Sequence, residues 1–342
     1  MIDFHIDKDS TVAIYKQLVN EVASAVRDNR LLPGQLIPSM NELSDRLGIS
    51  KETVKKAYGV LREKSIIESR QGKGFYIREK NREDSISVLF LFDKINAAKQ
   101  SIIEGFNSEV GSRCKETILI YNQDVRMFEY LVNENLGNFD YYVIAPHFKT
   151  NAEGLEKVTR TLRRIPFSKL ILVDNRIKTL KGNYGVAFQD FEEDAYNCLM
   201  QVSDEFRKVS RISVITRPNS LYCQYIQKGI ARFGAESGIE TVFLTGVPQG
   251  IIRKEAFLLL NSELDAGLLA IARCAEESGL EVGKDYFIIS YNDSPLDCLV
   301  LGGLTTISTN FDEMGKEAAR MVNTKQMRRV HIPFGMNKRH TF

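Results

Sequence analysis

From about residue 86 to residue 342, short runs that are apolar on nearly every residue alternate with stretches whose apolar residues recur at helical spacing. SISVLFLFD is followed by a helical stripe of Ile102, Ile103, Phe106 and Val110. Then come ETILIYN, a helix near 125–137, DYYVIAP, a helix near 151–164, and SKLILVDN. Fully apolar runs are strands buried on both faces, and the helices between them supply the crossovers of a parallel sheet. Near Phe191 a long helix follows, after which RISVIT, a helix around 220–237, ETVFLT, a helix around 263–278 and DYFIISYND repeat the theme. Two α/β lobes in succession are expected. The chain has 342 residues, and domains run to roughly 100–200 residues, so there is room for a further small domain in front of them.

The first eighty residues follow another pattern. Ile14, Leu18, Val22 and Ala25/Val26 recur at helical spacing between Thr11 and about Asn29, and Pro33-Gly34 then makes a turn. Ser39 stands three residues before Glu42 as a capping box, opening a short helix with Leu43 and Leu47 inward that Gly48 ends. Ser50 caps a second helix with Val54, Ala57, Tyr58 and Leu61 as its buried stripe. Two short helices joined by LGIS make a helix-turn-helix, and SIIES and GFYI around RQGKG make a hairpin wing. The net charge of the chain is only +2, yet residues 46–80 hold 10 basic and 4 acidic side chains. Such a cluster suits a phosphate backbone.

The segment from Tyr15 to Ile77, with LLPGQLIPS, NELSDRLGIS, SKETVKKAY and QGKG, resembles the winged-helix DNA-binding domain of the GntR family of bacterial repressors. The resemblance implies a double-stranded DNA operator as partner. It places Asn41, Lys51, Thr53 and Lys55 toward DNA, with Gln71, Gly72 and Lys73 on the wing. Ser39, Ser50, Glu52, Lys56 and Arg70 complete the candidate surface. Where the family usually has arginine, Asn41, Lys51 and Lys55 stand here, so bidentate guanine readout is not reproduced in the same way.

Ligands of open α/β sheets sit beyond the carboxyl ends of the strands. The residues ending the apolar runs are Asp93 and Lys94, Pro146 and His147, Asp174 and Asn175, Arg217, Asn261, Asn292 and Asp293. Carboxylates and amides of this kind suit polyhydroxy ligands, whose hydroxyls both donate and accept. There is no Gly-rich phosphate loop and no GxSxG elbow. The five cysteines form no CxxC, and His5, His147, His331 and His340 have no metal-ligand spacing. Free, mostly buried thiols, no metal, no cofactor and no catalytic residue are expected. The opening MIDFHIDKDS lacks the pattern of a secretory signal, and FLLL at 257–260 is too short to span a bilayer, so a soluble cytoplasmic chain without membrane contact is expected.

The second part resembles the effector-binding domain of LacI-type repressors and periplasmic sugar-binding proteins, carried by IISYND, GGLTTISTNFDEMGKEAARMV and IPFGMNKRHTF. The resemblance implies an α/β fold class: a winged helix-turn-helix domain at 1–78, a linker at 79–85, and a two-lobed type I periplasmic-binding-protein-like domain with parallel sheets at 86–342. Lobe 1 is expected at about 86–187 plus 306–323, and lobe 2 at about 188–305 plus 326–342. Asp174, Phe188, Asn261 and Asn292 fall at ligand-contacting positions, and Asp93, Lys94, His147, Arg217 and Tyr222 join them as candidates. Ile226 stands where the family commonly has arginine, with Arg217, Tyr222 or Gln224 as substitutes, and Asn292 replaces the usual aspartate. Together these features imply a homodimeric, non-enzymatic regulator, a repressor of a carbohydrate utilisation operon, whose small effector is a monosaccharide or derivative. The alternatives are a regulator sensing a nucleoside or an amino acid, or a DNA-binding head fused to an enzyme.

Overall fold

The computed structural model describes residues 4–8, 10, 12–27, 30–78, 85–216, 221–246, 250–260 and 264–342. They fall into two compact units, one reaching from the N-terminal residues to Ile86 together with Asn135–Asp140, the other made of Ser87–Glu134 and Tyr141–Phe342. Residues 79–84, most of the expected linker, lie outside the described residues.

In the first unit the amphipathic stretch forms α1 (Ile14–Arg27), followed by β1 (Leu36–Ile37), α2 (Met40–Leu47), α3 (Lys51–Glu63), β2 (Ile67–Arg70) and β3 (Gly74–Ile77). Both halves of the capping box are present: the Ser39 hydroxyl accepts from the Glu42 amide, and Glu42 accepts from the Ser39 amide at 2.7 Å. Gly48 closes α2 at φ 59°, a left-handed backbone where glycine costs least. Leu18, Val22, Leu43, Val54, Tyr58, Leu61, Ile67 and Ile77 are buried together, so the three helical stripes and the wing share one core. The strands form an antiparallel sheet in the order β1-β3-β2.

In the second unit the elements run β4 (Ile86–Phe92), α4 (Ala97–Val110), β5 (Cys114–Ile120), α5 (Val125–Asn135), β6 (Tyr141–Ile144), α6 (Ala152–Leu162), β7 (Leu170–Asp174) and β8 (Gly185–Phe188). They continue with α7 (Phe191–Gln201), β9 (Arg211–Ile215), α8 (Cys223–Ser237), β10 (Glu240–Leu244), β11 (Glu255–Leu259), α9 (Leu264–Glu277) and β12 (Phe287–Tyr291). The chain closes with β13 (Thr305–Thr309), α10 (Phe311–Thr324), β14 (Arg329–His331) and β15 (Phe334–Asn337). One six-stranded sheet has the order β14-β8-β7-β6-β4-β5, the other β10-β9-β11-β12-β13-β15. The pairings among β14, β8, β7, β6 and β4 in the first lobe and among β10, β9, β11, β12 and β13 in the second are parallel, and β15 runs antiparallel to β13 at the edge of the second.

The expected lobe boundaries need correction near the C-terminal end. Thr305–Thr309 pairs with β12 and belongs to the second lobe, although 306–323 was expected in the first, while Arg329–His331 pairs with β8 and belongs to the first. The chain therefore passes between lobes after β8, after β13 and after β14. Helix α10 returns to the first lobe because it packs on α4 through glycine: a Cβ on Gly315 would lie 2.0 Å from the Ile102 carbonyl oxygen, and one on Gly105 would lie 2.1 Å from that of Asp312. Close approach of this kind needs glycine on both helices. β8 is a strand the apolar alternation did not single out. Glu255–Leu259 follows β10 with no helix between them among the described residues.

A candidate DNA surface and a candidate effector cleft

On the first unit, Asn41, Lys51, Glu52, Lys55, Lys56, Arg70, Gln71, Gly72 and Lys73 are exposed, and Thr53 is half-buried. Local contacts separate them. Ser39 and Ser50 are helix caps, and Thr53 completes the second by donating its amide to the Ser50 hydroxyl at 3.1 Å. Glu52 pairs with Lys55 at 3.6 Å, Lys56 lies over the Tyr15 ring at 4.2 Å, and Arg70 folds back between Glu68 (2.8 Å) and the Tyr76 ring (4.4 Å). Among the described residues, no side-chain hydrogen bond or ion pair engages Asn41, Lys51, Gln71 or Lys73. The start of α3 and the wing tip thus present charge and amide groups with little to hold them back from a nucleic acid.

In the second unit, β7, β6 and β4 are neighbours, and Asp174, His147 and Asp93 sit at or just beyond their carboxyl ends. Asp174 is 5% exposed, His147 6% and Asp93 4%. The sequence reading passed over Lys99, 3% exposed, which reaches in from the first turn of α4 and donates to Asp174 Oδ2. His147 Nε2 lies 2.8 Å from the same oxygen. The other ring nitrogen, Nδ1, is 2.8 Å from the Tyr222 hydroxyl, which accepts from Asn175 Nδ2 at 2.9 Å. One neutral tautomer satisfies this chain, with Nε2 donating to Asp174 and Nδ1 accepting from Tyr222. Because Tyr222 precedes α8 while His147 and Asn175 belong to the first lobe, these bonds cross between the lobes.

The remaining contacts fix the network. Gln189, in the first crossover, donates to Asp174 Oδ1, and its own oxygen accepts from Thr309 at the second crossover at 2.8 Å. Tyr121 donates to the Ala145 carbonyl at 2.7 Å and accepts from the His147 amide at 2.8 Å, pinning the turn after β6. Tyr222 stacks on Phe191 at 4.2 Å with ring planes 7° apart. Burial alone would raise the Asp174 carboxyl, but the Lys99 charge and then the hydrogen bonds from His147 and Lys99 outweigh it and hold the group well below the usual carboxylate range. Burial, followed by the Asp174 charge, pushes the Tyr222 phenol up and keeps it neutral.

The other candidates stand apart from this cluster. Lys94 is exposed and makes no ion pair with Asp93, contrary to a simple pairing of the two. Phe188 stacks on His331 at 5.3 Å beneath the Arg176 guanidinium at 4.5 Å, so its ring is engaged by packing beside the crossover. Asn292 has φ 75° and donates its amide to Ile307, a backbone position that asparagine tolerates better than most residues. Asp174 has the same left-handed backbone at φ 71°. Ile226 is fully buried in the second lobe's core and Gln224 is exposed, so Tyr222, one turn before Ile226, supplies the polar group at that corner. Arg217 and Asn261 lie outside the described residues.

Lys99, Gln189, Thr309 and Tyr121 are the polar groups that sequence reasoning missed, whereas Asn175 stood among the strand-end residues. Lys99 had a legible signal: it stands three and seven residues before Ile102 and Phe106, on the buried stripe of α4, where an unpaired lysine is rare. Of the cysteines only Cys198 and Cys223 are buried, and Cys298 is exposed. Burial pushes the Cys198 thiol up to about 12, leaving it protonated. Among the described residues no cluster of histidine, cysteine and carboxylate side chains could hold a metal ion, and no helix is long and apolar enough to cross a membrane.

Fold and comparisons together point to the class of DNA-binding transcriptional regulators, here with a periplasmic-binding-protein-like domain. Residues 14–77 match the bacterial regulatory proteins of the gntR family, and residues 218–333 match the periplasmic binding protein-like domain. The chain belongs to the GntR family. The mannosyl-D-glycerate transport/metabolism system repressor of Escherichia coli is 32% identical over 81 residues, which are 24% of this chain but only 34% of that repressor. The match thus spans about a third of that relative's length. The arabinose metabolism transcriptional repressor of Geobacillus stearothermophilus is 22% identical over 92% of both chains. A LacI family regulator from Enterococcus faecalis, solved with bound ribose, superposes on 75% of this chain and 98% of its own with TM-score 0.54 and 20% identity, a likeness of fold.

Proposed function

We propose that the protein is a homodimeric repressor of a carbohydrate utilisation operon, whose affinity for DNA is set by a small sugar-like effector held between its two C-terminal lobes. The observation that carries this reading is the buried polar network around Asp174, which draws Lys99, His147 and Gln189 onto one carboxylate and reaches Tyr222 across the cleft. Hydroxyl-rich ligands both donate and accept, and a lining of carboxylate, imidazole, phenol and amide groups meets both needs. The ribose in the Enterococcus faecalis structure and the arabinose metabolism of the Geobacillus repressor point the same way. Pairing of two heads is argued from DNA itself, since two half-sites one helical turn apart need two readers.

The mechanism is linkage. A ligand that binds one arrangement of the lobes better than another shifts their equilibrium by its differential affinity, and the DNA affinity follows if the heads respond to that equilibrium. The effector is bound and released unchanged.

The test is thermal stability of the full chain against pentoses, hexoses and deoxyhexoses, followed by DNA binding with any sugar that stabilises it. A ligand at about 100 times its dissociation constant adds roughly 2.7 kcal/mol. Stabilisation by a sugar that also changes DNA affinity is the expected result. Failure of every sugar to stabilise would remove the sugar assignment and leave the DNA-binding unit as it stands.

A further inference from the structure

The two buried carboxylates of the cleft are in opposite states. A carboxylate offers about four lone-pair positions. Asp174 has three engaged: Lys99 and His147 on Oδ2 and Gln189 on Oδ1. Asp93 is as deeply buried, yet among the described residues its Oδ1 has no hydrogen-bond partner, and its Oδ2 accepts only from Gln123 at a long 3.3 Å. No ion pair engages Asp93 among the described residues, and the buried Lys99 is committed to Asp174. A buried carboxylate oxygen left without a donor is costly, and a site persists in that state where something else supplies the donor.

The position of Asp93 says where that donor comes from. It follows β4, the strand next to β6, whose end carries His147, and neighbouring strands lie about 5 Å apart. Its charge also adds to the burial that pushes up the phenols of Tyr121 and Tyr222, so it lies within electrostatic reach of the residue bridging the lobes. We propose that Asp93, and not Asp174, is the carboxylate that receives the effector, and that the effector presents hydrogen-bond donors and no anionic group there. Asp174 is a positioning residue: it sets Lys99 and His147 and is itself held by Gln189.

The proposal rests on the cleft being the effector site and narrows the ligand class. Vicinal hydroxyls of a free sugar, or the ammonium of an amino sugar, donate to Asp93. A phosphorylated sugar or a sugar acid brings an anionic group beside a carboxylate that has no cation, and like charges in a buried site disfavour one another.

The experiment compares wild type, Asp93→Asn and Asp93→Ser by melting temperature, without ligand and with D-ribose, L-arabinose, D-glucosamine, D-ribose 5-phosphate and D-glucuronate. Without ligand both variants are expected to melt at or above wild type, because a buried carboxylate oxygen without a donor is removed. A clear fall in both would show that Asp93 has a partner of its own and overturn the proposal. With ligand, neutral or amino sugars alone should stabilise wild type, and the affinity should drop about tenfold or more in both variants. Stabilisation by the phosphate or the glucuronate, or an undiminished response in the variants, overturns the assignment while leaving the cleft as a sugar site. Silence across the whole panel overturns the sugar reading itself and this inference with it.

Discussion

The candidate DNA surface and the proposed effector cleft treat lysine in opposite ways. Lys51 and Lys73 are exposed and without side-chain partners among the described residues, whereas Lys99 is 3% exposed and paired to a carboxylate in an equally buried position. DNA brings its own charge, and lysines that neutralise its phosphates release condensed counterions, so a reading surface works from side chains that the fold does not use. A cleft for a small ligand has to be organised before the ligand arrives, and its charges must first be compatible with folding. Substitutions on the two surfaces should therefore separate affinity from stability.

The largest effect is expected at Lys99. Lys99→Met leaves Asp174 buried with its strongest partner gone, and breaking a buried pair in this way costs about 3–5 kcal/mol. Denaturant unfolding followed by tyrosine fluorescence, suited to a chain without tryptophan, should show this loss. The double variant Lys99→Met/Asp174→Asn should recover much of it. A single variant as stable as wild type would break the contrast, because Lys99 would then be as dispensable to folding as Lys51.

A pH series sharpens the same point. The folded Asp174 carboxyl titrates below its unfolded value of about 3.9. Its ionisation therefore contributes stability that is fully present above that value and is lost as pH falls toward the folded one. Wild type should lose stability more steeply than Asp174→Asn below about pH 4, while replacing the exposed lysines leaves the acid limb unchanged. Parallel acid limbs for wild type and Asp174→Asn would contradict the network.

On the DNA surface the change is expected in binding alone. Lys51→Ala and Lys55→Ala together should lower the slope of log affinity against log salt by about 2 if both lysines neutralise phosphates, measured on DNA fragments selected from a random pool. Unfolding should stay within about 0.5 kcal/mol of wild type, as is usual for exposed positions. An unchanged salt slope would remove these lysines from the interface.

The same contrast explains what was legible in the sequence. The helix-turn-helix is written in local signals: Ser39 with Glu42, Gly48 and Ser50 act within a few residues of themselves, and each does in the structure what its spacing implies. Apolar strands such as Leu170–Asp174 are likewise readable because both their faces are buried. The cleft is assembled from partners far apart in the chain. Lys99 meets Asp174 75 residues away, and Gln189 meets Thr309 120 residues away. No spacing rule announces such pairs. Listing strand ends captured Asp93, His147 and Asp174 because topology puts them on one edge, but it could not tell a satisfied carboxylate from an unsatisfied one. The lobe boundary was misread for a related reason: β13 and β14 are short strands whose partners, β12 in one lobe and β8 in the other, are chosen by the crossovers rather than by composition.

The smallest expected effect tests the step between lobes. In Tyr222→Phe the ring keeps its stacking on Phe191, while the hydroxyl that joins His147 and Asn175 is lost. Removing a hydrogen-bonding group from such a network costs about 1 kcal/mol, so the melting point should fall only slightly. If the hydroxyl stabilises the lobe arrangement without ligand, its loss shifts the equilibrium between arrangements, and the DNA affinity of the ligand-free protein moves with it. A small fall in stability with a changed DNA affinity would show that the cleft speaks to the head through this bond. The same fall with DNA binding unaltered would confine Tyr222 to the architecture of the cleft and leave the signal to the crossovers held by Gln189 and Thr309.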